Sequence, residues 1–147
     1  MKLATATRKD KAKTYRFVTT SVIGEKSLSY NESCLDTPEK GFDFWNNVIR
    51  LDESVEPDKE TLIVVLLNPR LVPFAWNVVS IGSLSETNAH PREILRPVIA
   101  GAAYGFVLMH NHPSGDPSPS RADESTTRRI YEASILMQVK MLDHIII

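Results

Sequence analysis

His110 and His112 stand one residue apart, and Asp123 follows after ten more. Imidazole nitrogen and carboxylate oxygen are ligands of catalytic zinc sites, where three protein groups leave a fourth position for water. The pKa of a water held there falls to near 7, so hydroxide is available at neutral pH. Strand side chains alternate, which puts His110 and His112 on one face, about 7 Å apart along the chain. Residues 113–119 hold three prolines and a glycine. That loop is stiff, and it returns the chain so that a carboxylate can face the histidines.

Each residue also has a plainer reading. Ser120-Arg121-Ala122-Asp123 fits a capping box, in which Ser120 caps a helix and Asp123 reaches back to it. The histidine pair could line a turn. Each signal alone is weak, and their coincidence is much stronger. Around them, Ser114 and Asp116 shape the loop or hydrogen-bond the ligand imidazoles. His90 lines the cleft or caps the helix opened by Pro91. His144 falls in an apolar, β-rich segment and reads as structural. Trp45 and Trp76 read as core, and Cys34 as a small buried or half-buried side chain.

The elements that must hold this stretch follow from periodicity. Residues 15–23 are β-branched and aromatic, and predict a strand. Thr37-Pro38 is an N-cap followed by proline at the first helical position. Phe42, Trp45, Val48 and Ile49 then recur at helical spacing. Residues 51–59 are a connection. The apolar run 61–67 suits a central strand buried on both faces. A strand over 71–81 follows, with Pro73 marking an irregular start or an edge, and then a loop over 82–87. A helix over 90–103 contains Pro97, which kinks it or marks its true start. A strand over 104–109 feeds the histidines. A helix from Ser120 and a strand over 139–147 complete an α/β domain with a mixed sheet. The chain stops inside an apolar run, which predicts a fragment that lacks a closing strand.

The 147 residues suffice for one domain with a core, and the net charge of −1 gives no overall case for nucleic-acid binding. The first sixteen residues differ: Lys2, Arg8, Lys9, Lys11, Lys13 and Arg16 face only Asp10. This arm reads as a solvated terminus able to make weak nucleic-acid contact. A single cysteine rules out an internal disulfide and makes a reducing cytoplasm the default. No signal-peptide core and no membrane-length apolar run is present.

His110-Asn-His112, seven residues, Ser120, two residues and Asp123 resemble the JAMM metalloprotease motif. The longer string from His110 to Ser120, with His90-Pro-Arg-Glu93 before it and Leu142-Asp-His-Ile-Ile-Ile147 after it, is similar to the RadC branch. The resemblance covers residues 37–147, so that residues 1–36 form an arm, a strand and a loop outside it. It implies a JAB/MPN-like (cytidine-deaminase-like) α/β fold binding one zinc ion through His110, His112 and Asp123. It gives Ser120 a hydrogen bond to the oxyanion or the site water. It also implies an upstream glutamate as general base. Glu60, just before the central strand, fits that position. Glu93 is the rival, at a helix N-terminus where the dipole favours a carboxylate anyway. Residues 1–36 do not resemble the DNA-binding helix-hairpin-helix region common in RadC-like proteins.

Three functions compete. A zinc hydrolase of peptide or isopeptide bonds uses the whole set of Glu60, His110, His112, Ser120 and Asp123. A DNA-associated binding module would keep the metal as a structural or vestigial feature. A metal-dependent nuclease is disfavoured, because such sites usually hold two metals and these ligands suffice for one.

Overall fold

A computed structural model describes residues 34–56, 58–82 and 89–147. The basic arm, the strand expected over 15–23 and most of the loop over 82–87 lie outside the described residues.

Helix α1 (Pro38–Asn47) starts where the cap signal places it. Thr37 accepts a hydrogen bond from the Lys40 backbone N–H, Pro38 opens the helix, and Phe44 and Trp45 are buried. Strand β1 (Thr61–Leu67) is buried at every position. Its alternation sends Ile63, Val65 and Leu67 to a core shared with Phe44, Trp45 and Val48 of the α1 region. Leu62, Val64 and Leu66 go to a second core on the opposite face. A strand with a core on each side needs no polar face, which accounts for the unbroken apolar run.

Strand β2 (Pro73–Ile81) pairs antiparallel with β1 and begins later than residue 71. Leu71 sits in a left-handed conformation at φ 59°. The Asn68 side chain holds this turn by accepting from the N–H groups of Arg70 and Val72. Helix α2 (Pro91–Ala100) starts at Pro91, carries Pro97 within it, and ends short of residue 103. Strand β3 (Gly105–His110) is displaced by one residue from the expected span, so His110 is its last member. Helix α3 (Arg121–Leu136) and strand β4 (Lys140–Ile146) follow.

The sheet order is β2-β1-β3-β4, with β1 antiparallel to both neighbours and β3 parallel to β4. Ile94, Leu95 and Val98 of α2 and Ile130 of α3 cover the face opposite α1, so the described part is three-layered α/β. Phe106 and Leu108 point to the α2/α3 face. His110 continues that alternation, so β3 aims it at α3. No described helix is long and apolar enough to cross a membrane.

A candidate metal centre at the end of the third strand

His110 is fully buried at the end of β3. His112 lies just past the strand, yet its N–H still bonds Ile147 O at 2.7 Å, and Ile147 N–H bonds His110 O at 2.9 Å. The ladder thus continues locally and keeps the two imidazoles on one side. Their Nε2 atoms lie 2.9 Å apart. Asp123 is the third residue of α3, and its carboxylate does two jobs. Oδ2 accepts from the Ser120 backbone N–H at 2.7 Å and from the Ser120 hydroxyl at 2.6 Å. Oδ1 lies 3.4 Å from His110 Nε2, and Oδ2 lies 3.6 Å from His112 Nε2. The capping box and the ligand reading are therefore compatible in one side chain.

Glu60 joins the same group, with Oε1 3.9 Å from His110 Nε2. One donor atom each from Glu60, His110, His112 and Asp123 lies within 4.8 Å of the others. Asn111, between the two histidines, sets the glutamate's position. Its Oδ1 accepts from Thr61 N–H at 2.9 Å, and its Nδ2 donates to Lys59 O at 3.1 Å. These two bonds bracket Glu60. Asn111 has no signal in sequence, because its partners are 50 and 52 residues away.

Glu93 stays in the first turn of α2, where it meets Arg92 at 3.2 Å and Arg96 at 3.0 Å, and it is not part of the cluster. His90 is the N-cap of α2 and makes no side-chain capping bond. Ser114 Oγ accepts from Asp116 N–H, and Asp116 Oδ1 accepts from Ser118 N–H, so both side chains shape the loop. Asp116 reaches the site through its backbone: its carbonyl oxygen lies 2.7 Å from His112 Nδ1. Trp45 is core, and Trp76 is half-buried and donates to Asp52 Oδ2 at 3.1 Å.

Read from sequence, His144 is only a strand residue. In the structure its Nε2 lies 2.8 Å from His110 Nδ1, and its Nδ1 lies 2.5 Å from Thr127 Oγ1. The Thr127 hydroxyl in turn donates to Asp123 O at 2.6 Å. Its one hydrogen is thus committed, and Thr127 must accept from His144 Nδ1–H. His144 Nε2 is then a lone pair, and His110 Nδ1 must carry the hydrogen between the two rings. His112 Nδ1 likewise donates to a carbonyl. The network therefore places no hydrogen on either Nε2 facing the cluster. Two lone pairs at 2.9 Å beside a carboxylate call for a cation between them, either a proton or a metal ion.

The electrostatics oppose a proton on His110. Burial, then repulsion from His144, pushes the His110 imidazole down to about 4. Burial does the same to His144, also to about 4. For Asp123, burial works against ionisation, but hydrogen bonds from the Ser120 side chain and backbone outweigh it and lower the carboxyl. Buried His110 and His144 are thus neutral imidazoles beside an anionic Asp123 carboxylate. Ligands about 2.0–2.1 Å from a tetrahedral ion are separated by about 3.3 Å. The distances of 2.9, 3.4 and 3.6 Å bracket that value. The donor atoms of Glu60, His110, His112 and Asp123 together fit a small divalent cation.

A family model described as "RadC-like JAB domain" matches residues 36–147. Curated relatives include a UPF0758 protein of Caldanaerobacter subterraneus subsp. tengcongensis, 46% identical over 60% of this chain and 38% of its own length. A UPF0758 protein of Trichlorobacter lovleyi is 40% identical over 76% of this chain and 46% of its own. One of Bacillus pumilus is 36% identical over 80% of this chain and 50% of its own. The chain thus spans half or less of the length of these relatives. The matched region holds the histidine pair, the capping-box aspartate, the glutamate beside β1 and every described strand, and the chain belongs to the RadC-like JAB domain family.

Proposed function

We propose that this chain is a zinc-dependent hydrolase of the JAMM type, acting on a peptide or isopeptide bond. The observation that supports it is the convergence of Glu60, His110, His112 and Asp123 within 4.8 Å. His110, His112 and Asp123 would hold the ion and leave one position open. Zinc, when bound, would supply a Lewis acid that polarises the scissile carbonyl and acidifies water. Glu60, bracketed by Asn111, takes the proton from the attacking water and returns it to the leaving amine. Ser120 holds Asp123 in the resting geometry. Its hydroxyl turns to donate to the oxyanion as that charge develops. The neutral state of buried His110 keeps its Nε2 a ligand at physiological pH.

Elemental analysis tests the metal first. About one zinc per chain in the purified protein, lost in His112→Ala, is the expected result. A folded wild-type protein that takes up no zinc would sink this reading. A peptidase screen with Glu60→Gln then tests the mechanism. Zinc content should hold while hydrolysis falls about 10²- to 10⁴-fold, the range for loss of a general base. Unchanged hydrolysis would remove Glu60 from the reaction.

The single cysteine fits a reducing cytoplasm. The charge of residues 1–16 supports a second, weaker contact with nucleic acid. Binding of DNA at low salt that disappears on deleting residues 1–16 is the expected outcome there.

A further inference from the structure

We infer that His144 and Thr127 are positioning residues that fix the tautomer of His110, through a hydrogen-bonded chain that begins and ends on residues of the metal centre. This rests on the metal-centre reading proposed above and concerns how its ligands are oriented.

The chain can be followed atom by atom. Asp123 O accepts from Thr127 Oγ1–H at 2.6 Å. Thr127 Oγ1 accepts from His144 Nδ1–H at 2.5 Å. His144 Nε2 accepts from His110 Nδ1–H at 2.8 Å. His110 Nε2 then faces Asp123 Oδ1 at 3.4 Å. The path closes on the residue where it started, linking two ligands through groups that do not themselves reach the ion. A backbone carbonyl fixes its direction, because that oxygen can only accept. Reversing any bond would strand a hydrogen or leave two lone pairs in contact.

The fold supplies the register. β4 runs parallel to β3, and His110 pairs with Ile146. His144, two residues earlier, lies on the same face, and its ring centroid is 4.9 Å from that of His110. Thr127 stands one helical turn after Asp123, which lets its hydroxyl reach back to that carbonyl and outward to β4. A ligand imidazole commonly donates its distal N–H to a carboxylate or carbonyl. Here the acceptor is a neutral imidazole, which can itself exist in two tautomers. It works as an acceptor only because Thr127 fixes it. The arrangement therefore needs two residues where one usually serves.

The test combines two readouts on the full chain. Nitrogen-15 NMR of the metal-free protein at pH 8 reads the tautomers directly. The expected result is hydrogen on Nδ1 of both His110 and His144. Hydrogen on Nε2 of His110 would overturn the inference, whether or not the protein binds zinc. Zinc alone is then titrated against a chelating dye. His144→Phe and Thr127→Val should each weaken zinc binding, by about 10- to 100-fold for the first. His144→Gln offers an acceptor near the Nε2 position and should recover most of the loss, as should Thr127→Ser. Affinity within about twofold of wild type in both Phe and Val variants would overturn the inference. If His144→Phe does not fold, Thr127→Val and the wild-type tautomers decide. Wild-type protein that binds no zinc would instead sink the metal-centre reading, while the NMR result still stands or falls by itself.

Discussion

At the scale of single residues, Asp123 serves a helix cap and the candidate metal centre with one carboxylate. Its Oδ2 closes the N-terminus of α3, and its Oδ1 faces His110. Ser120→Ala should cost about 0.5–2 kcal/mol by loss of the cap. It should also loosen zinc binding, because the Ser120 donor that orients the carboxylate is gone. Chemical denaturation and dye competition on the same variant would show both effects, and a loss of stability alone would mean that the carboxylate keeps its place unaided. Asn111→Ala takes the acceptor from the buried Thr61 N–H and leaves Lys59 O with only the Thr61 hydroxyl as donor. The expected cost is about 1–3 kcal/mol for the buried Thr61 N–H, with zinc content retained and hydrolysis reduced as Glu60 loses its bracket. The site also makes stability depend on pH. The folded-state imidazoles of His110 and His144 lie near 4, below their ordinary value of 6.5. Between those values the unfolded chain binds more protons than the folded one, so stability falls as pH drops from about 6.5 to about 4. Metal-free protein should show this decline in urea titrations, and His144→Gln should flatten it.

At the scale of elements, the β3–β4 pair holds the most exacting contacts. A Cβ on Gly105 would lie 2.8 Å from Lys140 O and 2.8 Å from Leu142 Cδ1. The first of these is backbone and cannot swing aside. Gly105→Ala should therefore push β4 from β3 and destabilise the fold by about 1–3 kcal/mol. Since His144 rides on β4, zinc affinity should fall with it; unfolding curves that match wild type would refute the close packing. Most elements were legible in sequence because their signals are local. Thr37-Pro38 announced α1, the apolar run announced β1, and Ser120 with Asp123 announced α3. The start of β2 at Pro73 is not legible at residue 71, because the turn at Leu71 depends on the Asn68 side chain and carries no glycine. Helix α2 starts before Pro97 and runs through it, because the buried positions Ile94, Leu95 and Val98 keep a helical stripe on the sheet.

At the scale of the whole molecule, the legible part of the site was the part within one stretch of chain. His110, His112 and Asp123 stand together in sequence, and their spacing alone suggests a metal-ligand set. Glu60, 50 residues upstream of His110, could be reached only through a family resemblance. The contacts of His144 with His110 and of Thr127 with His144 have no sequence signal, because they depend on the register of β4 against β3. Charge patterns and periodicity do not encode that register. The assembled cluster predicts a global response to metal. Zinc at one hundred times its dissociation constant should stabilise the fold by about 2.7 kcal/mol. For a chain of this size the melting temperature should rise by roughly 5–10 °C. Calorimetry with zinc and then with a chelator would measure it, and a melting temperature indifferent to both would argue against a site coupled to folding.

The parallel partnership of β3 and β4, spanned by α3, also governs when the site comes into being. Local helices form in microseconds, whereas pairing distant segments is slow because the intervening loop must close first. The cluster needs β1 beside β3 and the first turn of α3, packed along β4, against the end of β3. In a refolding experiment followed with cobalt(II), helical signal should appear first, and the colour of the bound ion only after the strands have met. The ion would then serve as a stopwatch for sheet closure.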